Sequence, residues 1–353
     1  MCRISLKSLA LGLACLVATP TLADTITYDM VTVGNPGNAN DTGGSGIGAV
    51  AYSYQIGKYD VTIGQYAVFL NAVAATDTYS LYNSSMGANG NIMGIQQNGS
   101  VGNYTYSVIG SANRPITYVS WFDAARFANW MTNGQGSGST ETGAYTLNGA
   151  TSGDAVAANP GAAFRLPTEN EWYKAAYYSP NYVSPYDGPN LGGPSVPGTP
   201  GYYDFATQSD MAPGNQIGSA ANQVNYVTGA GYSVTQSASY DSNQNYLTDV
   251  GAFSGSGSFY STFDQTGNVY QWNDLDGTAG SRRGLRGGSW NESEPSDLSS
   301  FNSYLSVPSN ENDGLGFRLA SSVPEIDPNS IGSVLALVLG SLGLLERRRL
   351  KAA

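Results

Sequence analysis

Histidine is absent from this 353-residue sequence, and cysteine occurs only at Cys2 and Cys15. Charged residues are scarce too, at 12% of the chain. Without imidazole or a thiol beyond position 15, a mature chain that has lost its first residues cannot build the usual zinc, copper, haem or non-haem-iron sites. Ser-His and Cys-His nucleophiles are excluded for the same reason, as is any disulfide. Only oxygen ligands remain, and these suit hard ions such as calcium.

What is present divides into two terminal signals and a long middle. Residues 1–23 carry Arg3 and Lys7, then an apolar run from Leu9 to Ala18, then Thr21-Leu22-Ala23. This is the layout of a secretory signal peptide cut after Ala23, with a basic apolar core helix as the competing reading. Both cysteines fall inside it. Gly12-Leu13-Ala14 before Cys15 is a poor lipidation box.

At the other end, Val323-Pro324-Glu325 precedes an apolar run from Ile331 to Leu345 and the cluster Arg347-Arg348-Arg349 with Lys351. At about 1.5 Å per residue that run is shorter than a hydrocarbon core of roughly 30 Å, and snorkelling arginines extend it. The tail, residues 323–353, resembles the PEP-CTERM sorting signal. That likeness implies initial anchoring of residues 331–345 in the inner membrane, an exosortase-like processing enzyme as partner, and release to the envelope or the outside. Pro324-Glu325-Ile326 departs from the usual Pro-Glu-Pro. A plain membrane tail with cytoplasmic arginines is the alternative.

The formal charge of −11 includes the positive contributions of both ends, so the middle is more acidic still. A field of that sign disfavours nucleic acid and suits solubility outside the cell or cation binding. Residues 24–322 show no linker, charge run or internal repeat, and read as one domain. With 45 Gly and 25 Tyr, irregular backbone and aromatic packing should do much of the structural work.

Helical spacing of Tyr66, Phe69, Leu70 and Val73 places a helix over Val61–Ala75, capped by Thr62. Ser120 followed by Asp123 opens a second over Ser120–Met131, with Trp121, Ala124, Ala125 and Ala128 inward. A third starts at Thr168, with Glu171 completing a capping box and Trp172, Ala175 and Ala176 inward. Ser179–Ser261 has little periodicity and reads as an elaborated surface.

The blocks Tyr54-Gln55-Ile56-Gly57-Lys58-Tyr59-Asp60-Val61-Thr62, Arg114-Pro115-Ile116-Thr117-Tyr118-Val119-Ser120-Trp121 and Phe164-Arg165-Leu166-Pro167-Thr168-Glu169-Asn170-Glu171-Trp172 are followed by Gly267-Asn268-Val269-Tyr270-Gln271-Trp272. Arg286-Gly287-Gly288-Ser289-Trp290 and Gly316-Phe317-Arg318-Leu319 complete the series. In this order they resemble the formylglycine-generating-enzyme, or sulfatase-modifying-factor, domain over about Val31–Ser321. The resemblance implies an α+β, C-type-lectin-like fold with little regular secondary structure and many loops.

Family oxidases hold copper with two cysteines shortly after the Arg-Gly-Gly-Ser motif; those positions fall on Glu292 and Asp297. Neither carboxylate replaces a thiolate for a soft metal or for thiol exchange. Histidine-bound iron, used by another branch, is also ruled out, so no copper, iron or zinc is expected. A family calcium site maps onto Asp264, the Gly267 and Val269 carbonyls and the Gln271 amide oxygen, with Gln271 standing where Glu is common. The competing reading is a tight Gly267-Asn268 turn without an ion.

Arg286 and Arg318 read as buried and paired, and Glu171 as a cap rather than an acid-base group. A cavity rimmed by Glu292, Glu294, Asp297, Asn302 and Ser303 would suit cations or polyhydroxyl ligands. The sequence therefore points to an exported binding or structural protein of the envelope or matrix, with a polysaccharide or an envelope protein as partner. The alternative is an enzyme of the same family using an oxygen-ligand site.

Overall fold

The computed structural model describes residues 24–182 and 200–323. The expected signal peptide 1–23 with both cysteines, residues 183–199 and the tail beyond 323 lie outside them. Among the described residues no helix is long and apolar enough to cross a membrane.

Two strands open the domain, β1 (Met30–Val33) and β2 (Tyr54–Gly57). They are followed by α1 (Ile63–Val73) and the single turn α2 (Ser85–Ala88). A hairpin of β3 (Ile95–Asn98) and β4 (Thr105–Val108) leads to α3 (Trp121–Thr132) and α4 (Glu169–Tyr177). Short pairs come next: β5 (Tyr178–Ser179) with β6 (Gly201–Tyr202), and β7 (Val227–Thr228) with β8 (Gly231–Tyr232). The last strands are β9 (Tyr270–Asn273), β10 (Arg283–Arg286), β11 (Tyr304–Ser306), β12 (Leu315–Gly316) and β13 (Ala320–Ser322).

Strands β1, β2 and β13 make one antiparallel sheet, which joins the start of the domain to its end. A second sheet runs β11-β10-β9-β12, with only β12 parallel to its neighbour β9. The result is an α+β, loop-rich domain with few helices.

Each of the three expected helices starts where its cap places it. Thr62, Ser120 and Thr168 accept from the backbone N–H three residues on, and Gln65, Asp123 and Glu171 return the bond to the cap. Such reciprocal capping satisfies two otherwise orphaned donors at each start. Helix α3 is buried on every side from Trp121 to Met131, its Trp, Phe and Ala residues packed around the buried polar side chains of Asp123, Arg126 and Asn129. Tyr66, Phe69, Phe127, Trp130 and Phe317 interlock at ring separations of 5.3–6.1 Å, linking α1, α3 and the chain just before β13.

The expectation of a surface over Ser179–Ser261 needs correcting. Val224, Tyr226, Tyr246 and Leu247 are buried there, packing on Val269, Trp290 and Leu298. The Tyr246 and Trp290 rings stack at 5.2 Å. Irregular backbone can bury aromatics singly, without the periodicity that reveals a helix or strand. Tyr177, Tyr178 and Tyr182 are buried as well, so this aromatic run packs the domain rather than presenting rings to solvent.

Candidate functional site

The buried arginines set the frame on which the candidate positions sit. Arg286, on β10, donates to Glu169 Oε1 at 2.8 Å and to the Ser300 and Asn302 carbonyls at 2.9 and 3.0 Å. It thereby fixes the chain just before β11. Arg318 donates from Nε to Gln271 Oε1 at 2.6 Å, from Nη1 to the Gly57 carbonyl at 2.9 Å, and from Nη2 to Asp60 at 3.2 Å and the Phe263 carbonyl at 2.7 Å. Both are structural centres, as their surroundings of Gly and aromatics implied.

Glu171 is a structural acid too. Its carboxylate takes two bonds from Arg165, at 2.5 and 2.6 Å, and further ones from the Thr168 amide and Tyr52 hydroxyl. Burial pushes its pKa up, but the Arg165 pair and the capping bonds reverse this and hold it below the usual value.

Three of the calcium-candidate residues, Asp264, Gly267 and Val269, lie in the bend that leads into β9, and Gln271 lies on β9 itself. Asp264, Gly267 and Asn268 all take left-handed conformations, at φ 58°, 78° and 68°. Gly267 donates to the Gly287 carbonyl at 2.7 Å and Asn268 to that of Asn225 at 2.9 Å, which pins the turn into the core. A Cβ at 267 would collide with the Asn225 carbonyl oxygen, so glycine is required here.

These donors do not fit a calcium ion as they stand. Gln271 Oε1 already accepts from Trp172 Nε1 and from the cationic Arg318 Nε, each at 2.6 Å, while its amide nitrogen donates to the Asp264 carbonyl at 2.7 Å. The Gly267 carbonyl accepts from Val269 N–H at 3.0 Å, and Asp264 Oδ2 from Gly251 N–H at 2.7 Å. A calcium ion would have to displace a guanidinium from an oxygen it already satisfies. The geometry agrees with the tight-turn reading.

Glu292 and Asp297 do come together. Glu292 precedes the 3₁₀ turn Pro295–Leu298 and Asp297 lies within it, and the two carboxyls lie close enough to interact directly. Burial first, and then Asp297, push Glu292 above the usual range, against hydrogen bonds from Tyr270 and Ser289. Asn302 donates to the Asp297 carbonyl at 2.8 Å, and Tyr304 reaches Asp297 Oδ1 at 3.4 Å. The Tyr270 and Tyr304 rings meet edge to face at 5.5 Å.

Glu294 and Ser303 are exposed. Tyr270 and Tyr304 were missed as site members, although Tyr270 stands inside a quoted motif block. Nothing near Tyr304 in the chain signals that β11 brings it alongside Tyr270. Edge strand β11 and its flanks also expose apolar surface, with Phe301 at 59%, Tyr304 at 45%, Leu305 at 61% and Val307 at 46%.

This fold and this ordered set of motifs are those of one family. The chain belongs to it: residues 48–323 match the Sulfatase-modifying factor enzyme 1-like domain. Among solved structures it is similar to Treponema denticola variable protein 1, at 16% identity and a TM-score of 0.45, over 86% of this chain and 98% of that one. CarF is similar at 18% identity and a TM-score of 0.45, over 85% and 100%. PvdO from Pseudomonas aeruginosa is similar at 16% identity and a TM-score of 0.39, over 84% and 92%. Comparison with curated proteins gives no match.

Proposed function

We propose that this chain is an exported, non-catalytic binding protein that uses a C-type-lectin-like sulfatase-modifying scaffold to hold a polyhydroxyl ligand, such as an envelope polysaccharide. The observation that carries the reading is the interacting carboxylate pair Glu292 and Asp297, with Tyr270 hydrogen-bonded to the first and Tyr304 reaching the second. These are the positions where family oxidases carry copper-binding cysteines, and the only thiols of the chain are in the leader. Carboxylates accept strong hydrogen bonds from sugar hydroxyls. Exposed Phe301 and Tyr304 beside them offer ring faces to the apolar side of a sugar. Export rests on the leader 1–23, and delivery to the envelope on the tail 323–353 with its apolar run 331–345.

The test is a glycan array probed with the full chain and with Glu292→Gln, Asp297→Asn and Tyr304→Ala. Binding by the parent and its loss in all three variants is the expected result. Binding that survives all three substitutions, or none at all by the parent, refutes the assignment. The non-catalytic part is tested separately, by offering a cysteine-bearing sulfatase peptide with copper and oxygen; aldehyde formation overturns it.

A second reading, an enzyme, has one observation in its favour. Glu292 is raised by burial and by a neighbouring acid, as a general acid often is. Turnover of a glycan found on the array, lost in Glu292→Gln, would select it.

A further inference from the structure

Tyr240 is 58% exposed, yet it is tied down at both ends. Its hydroxyl donates to the side-chain oxygen of Asn91, a buried residue whose amide nitrogen donates to the Asp241 and Gln244 carbonyls at 2.9 and 3.0 Å. The Asn91 carbonyl accepts from Tyr246 N–H at 2.9 Å, and Asp241 N–H donates to the Tyr246 hydroxyl at 2.8 Å. One buried asparagine thus carries the loop 240–246. An exposed tyrosine is ordinary on a protein surface. One whose hydroxyl is fastened to the interior cannot turn freely, so it has given up rotamer freedom while most of it stays in water.

The ring also belongs to a larger group. Tyr246 lies 4.2 Å from Tyr232, 5.2 Å from Trp290 and 6.0 Å from Tyr240, and its plane is 16° from that of Tyr240. Tyr246 and Trp290 are buried and Tyr232 is partly so, which leaves Tyr240 as the member that stands mostly in solvent. Its neighbours along the chain, Ser239, Asp241, Ser242 and Asn243, are exposed and polar.

We propose that Tyr240 is a stacking platform for one sugar ring of a neutral glycan, with Ser239, Asp241, Ser242 and Asn243 as partners for its hydroxyls. A pyranose has an apolar C–H face ringed by hydroxyls, the complement of an aromatic ring with hydroxyl, amide and carboxylate groups beside it. A ring already held still loses no further freedom on binding. Charge selects against the other flat ligand, a nucleotide, because its phosphate would meet Asp241 in a chain of net charge −11. The proposal rests on reading the chain as a glycan binder, and it lengthens that site. Trp290 stands two residues before Glu292, and Val227, paired with Tyr232 across β7 and β8, donates to the Glu292 carbonyl at 2.9 Å. The ring group and the carboxylate pair are therefore carried on shared segments, and an extended glycan can engage both.

The test is calorimetric titration of the full chain, in a polyoxyethylene detergent that carries no sugar, with neutral β-1,4-linked hexasaccharides of glucose, mannose and N-acetylglucosamine, and with AMP. Binding of at least one hexasaccharide, tighter than that of AMP, is expected. Tyr240→Ala should weaken it about three- to tenfold, as loss of one aromatic contact does. Tyr240→Phe removes the bond to Asn91 but keeps the ring, and Tyr240→Trp enlarges the ring, so both should retain binding. No binding of any hexasaccharide, tighter binding of AMP, or unchanged binding in Tyr240→Ala overturns the proposal. So does a loss in Tyr240→Phe and Tyr240→Trp as large as that in Tyr240→Ala. Should Tyr240→Ala fail to fold, Tyr240→Leu, apolar but without a ring, decides in its place. Loss in Glu292→Gln with Tyr240→Ala unaffected removes this platform and leaves the carboxylate site standing; the converse keeps the platform and removes the carboxylate site.

Discussion

Replacing Glu171 by Gln tests whether the third capping box is fastened by charge or merely by shape. The side chain keeps its volume, but one acceptor becomes an NH₂ group facing the donors of Arg165, which lie 2.5 and 2.6 Å from the two carboxylate oxygens. Removing one partner of a buried pair costs about 3–5 kcal/mol. Glu171 has 0% side-chain exposure and Arg165 19%, so the arginine recovers some hydration and the low end applies, about 3 kcal/mol. About 2 °C is lost per kcal/mol in a domain of this size, giving a fall of roughly 6 °C in Tm by circular dichroism. Arg165→Met alone should also destabilise, whereas the double variant should be more stable than the sum of the two single effects predicts. A loss below about 2 °C in Glu171→Gln, or strict additivity in the double variant, would refute the argument that this ion pair anchors α4.

Stability should fall as pH rises from 5 to 8. Burial pushes Asp60 up to about 8, Asp123 to about 7 and Asp264 to about 6, so the native state keeps protons that unfolded carboxyls release near pH 4. Glu171 works oppositely, its contribution being lost only as pH drops through its lowered value, so a Tm higher at pH 8 than at pH 5 contradicts this. Excess calcium or chelator should leave Tm unchanged, because Gln271 Oε1 is held by Trp172 and Arg318; a rise with calcium that chelator reverses would restore the ion site. Gly267→Ala should lose about 2 kcal/mol or more, from positive φ and collision with the Asn225 carbonyl, whereas Gly134→Ala, with open space around it, should lose less in the same melt.

The helices were legible because their signals are local. Thr62, Ser120 and Thr168 each stand before an apolar period, and all three cap as expected. The family motifs were legible for a related reason, since each is one contiguous run. What could not be read was contact between segments remote in sequence. Asp274 accepts from Trp121 Nε1 and the Tyr145 hydroxyl, both at 2.6 Å, and pairs with Arg283 at 3.2 Å. Nothing near Asp274 in the chain announces those partners. Gln271 was readable as a hard oxygen donor, but not as one already engaged by Trp172, which is 99 residues away. The same limit hid the Tyr270 and Tyr304 pairing and the burial of Tyr226 and Tyr246.

The arrangement of charge explains how such a domain can change its chemistry and keep its fold. With so little regular structure, loops are tied by arginines that collect carbonyls from distant segments. Arg126 holds Glu141 and the Ala150 carbonyl, Arg283 the Val156 carbonyl, Arg286 those of Ser300 and Asn302, and Arg318 those of Gly57 and Phe263. Each is buried, so each loop it holds is fastened to the interior rather than to a neighbouring side chain at the surface. Glu292 and Asp297 belong to none of these centres. Their side chains interact with each other and with Ser289, Asn302 and the two tyrosines. Substitution there should alter what the face recognises while leaving Tm within about 1–2 °C, since surface changes away from buried networks fall within about 0.5 kcal/mol. Loss of ligand binding without loss of stability in Glu292→Gln separates a recognition role from a structural one.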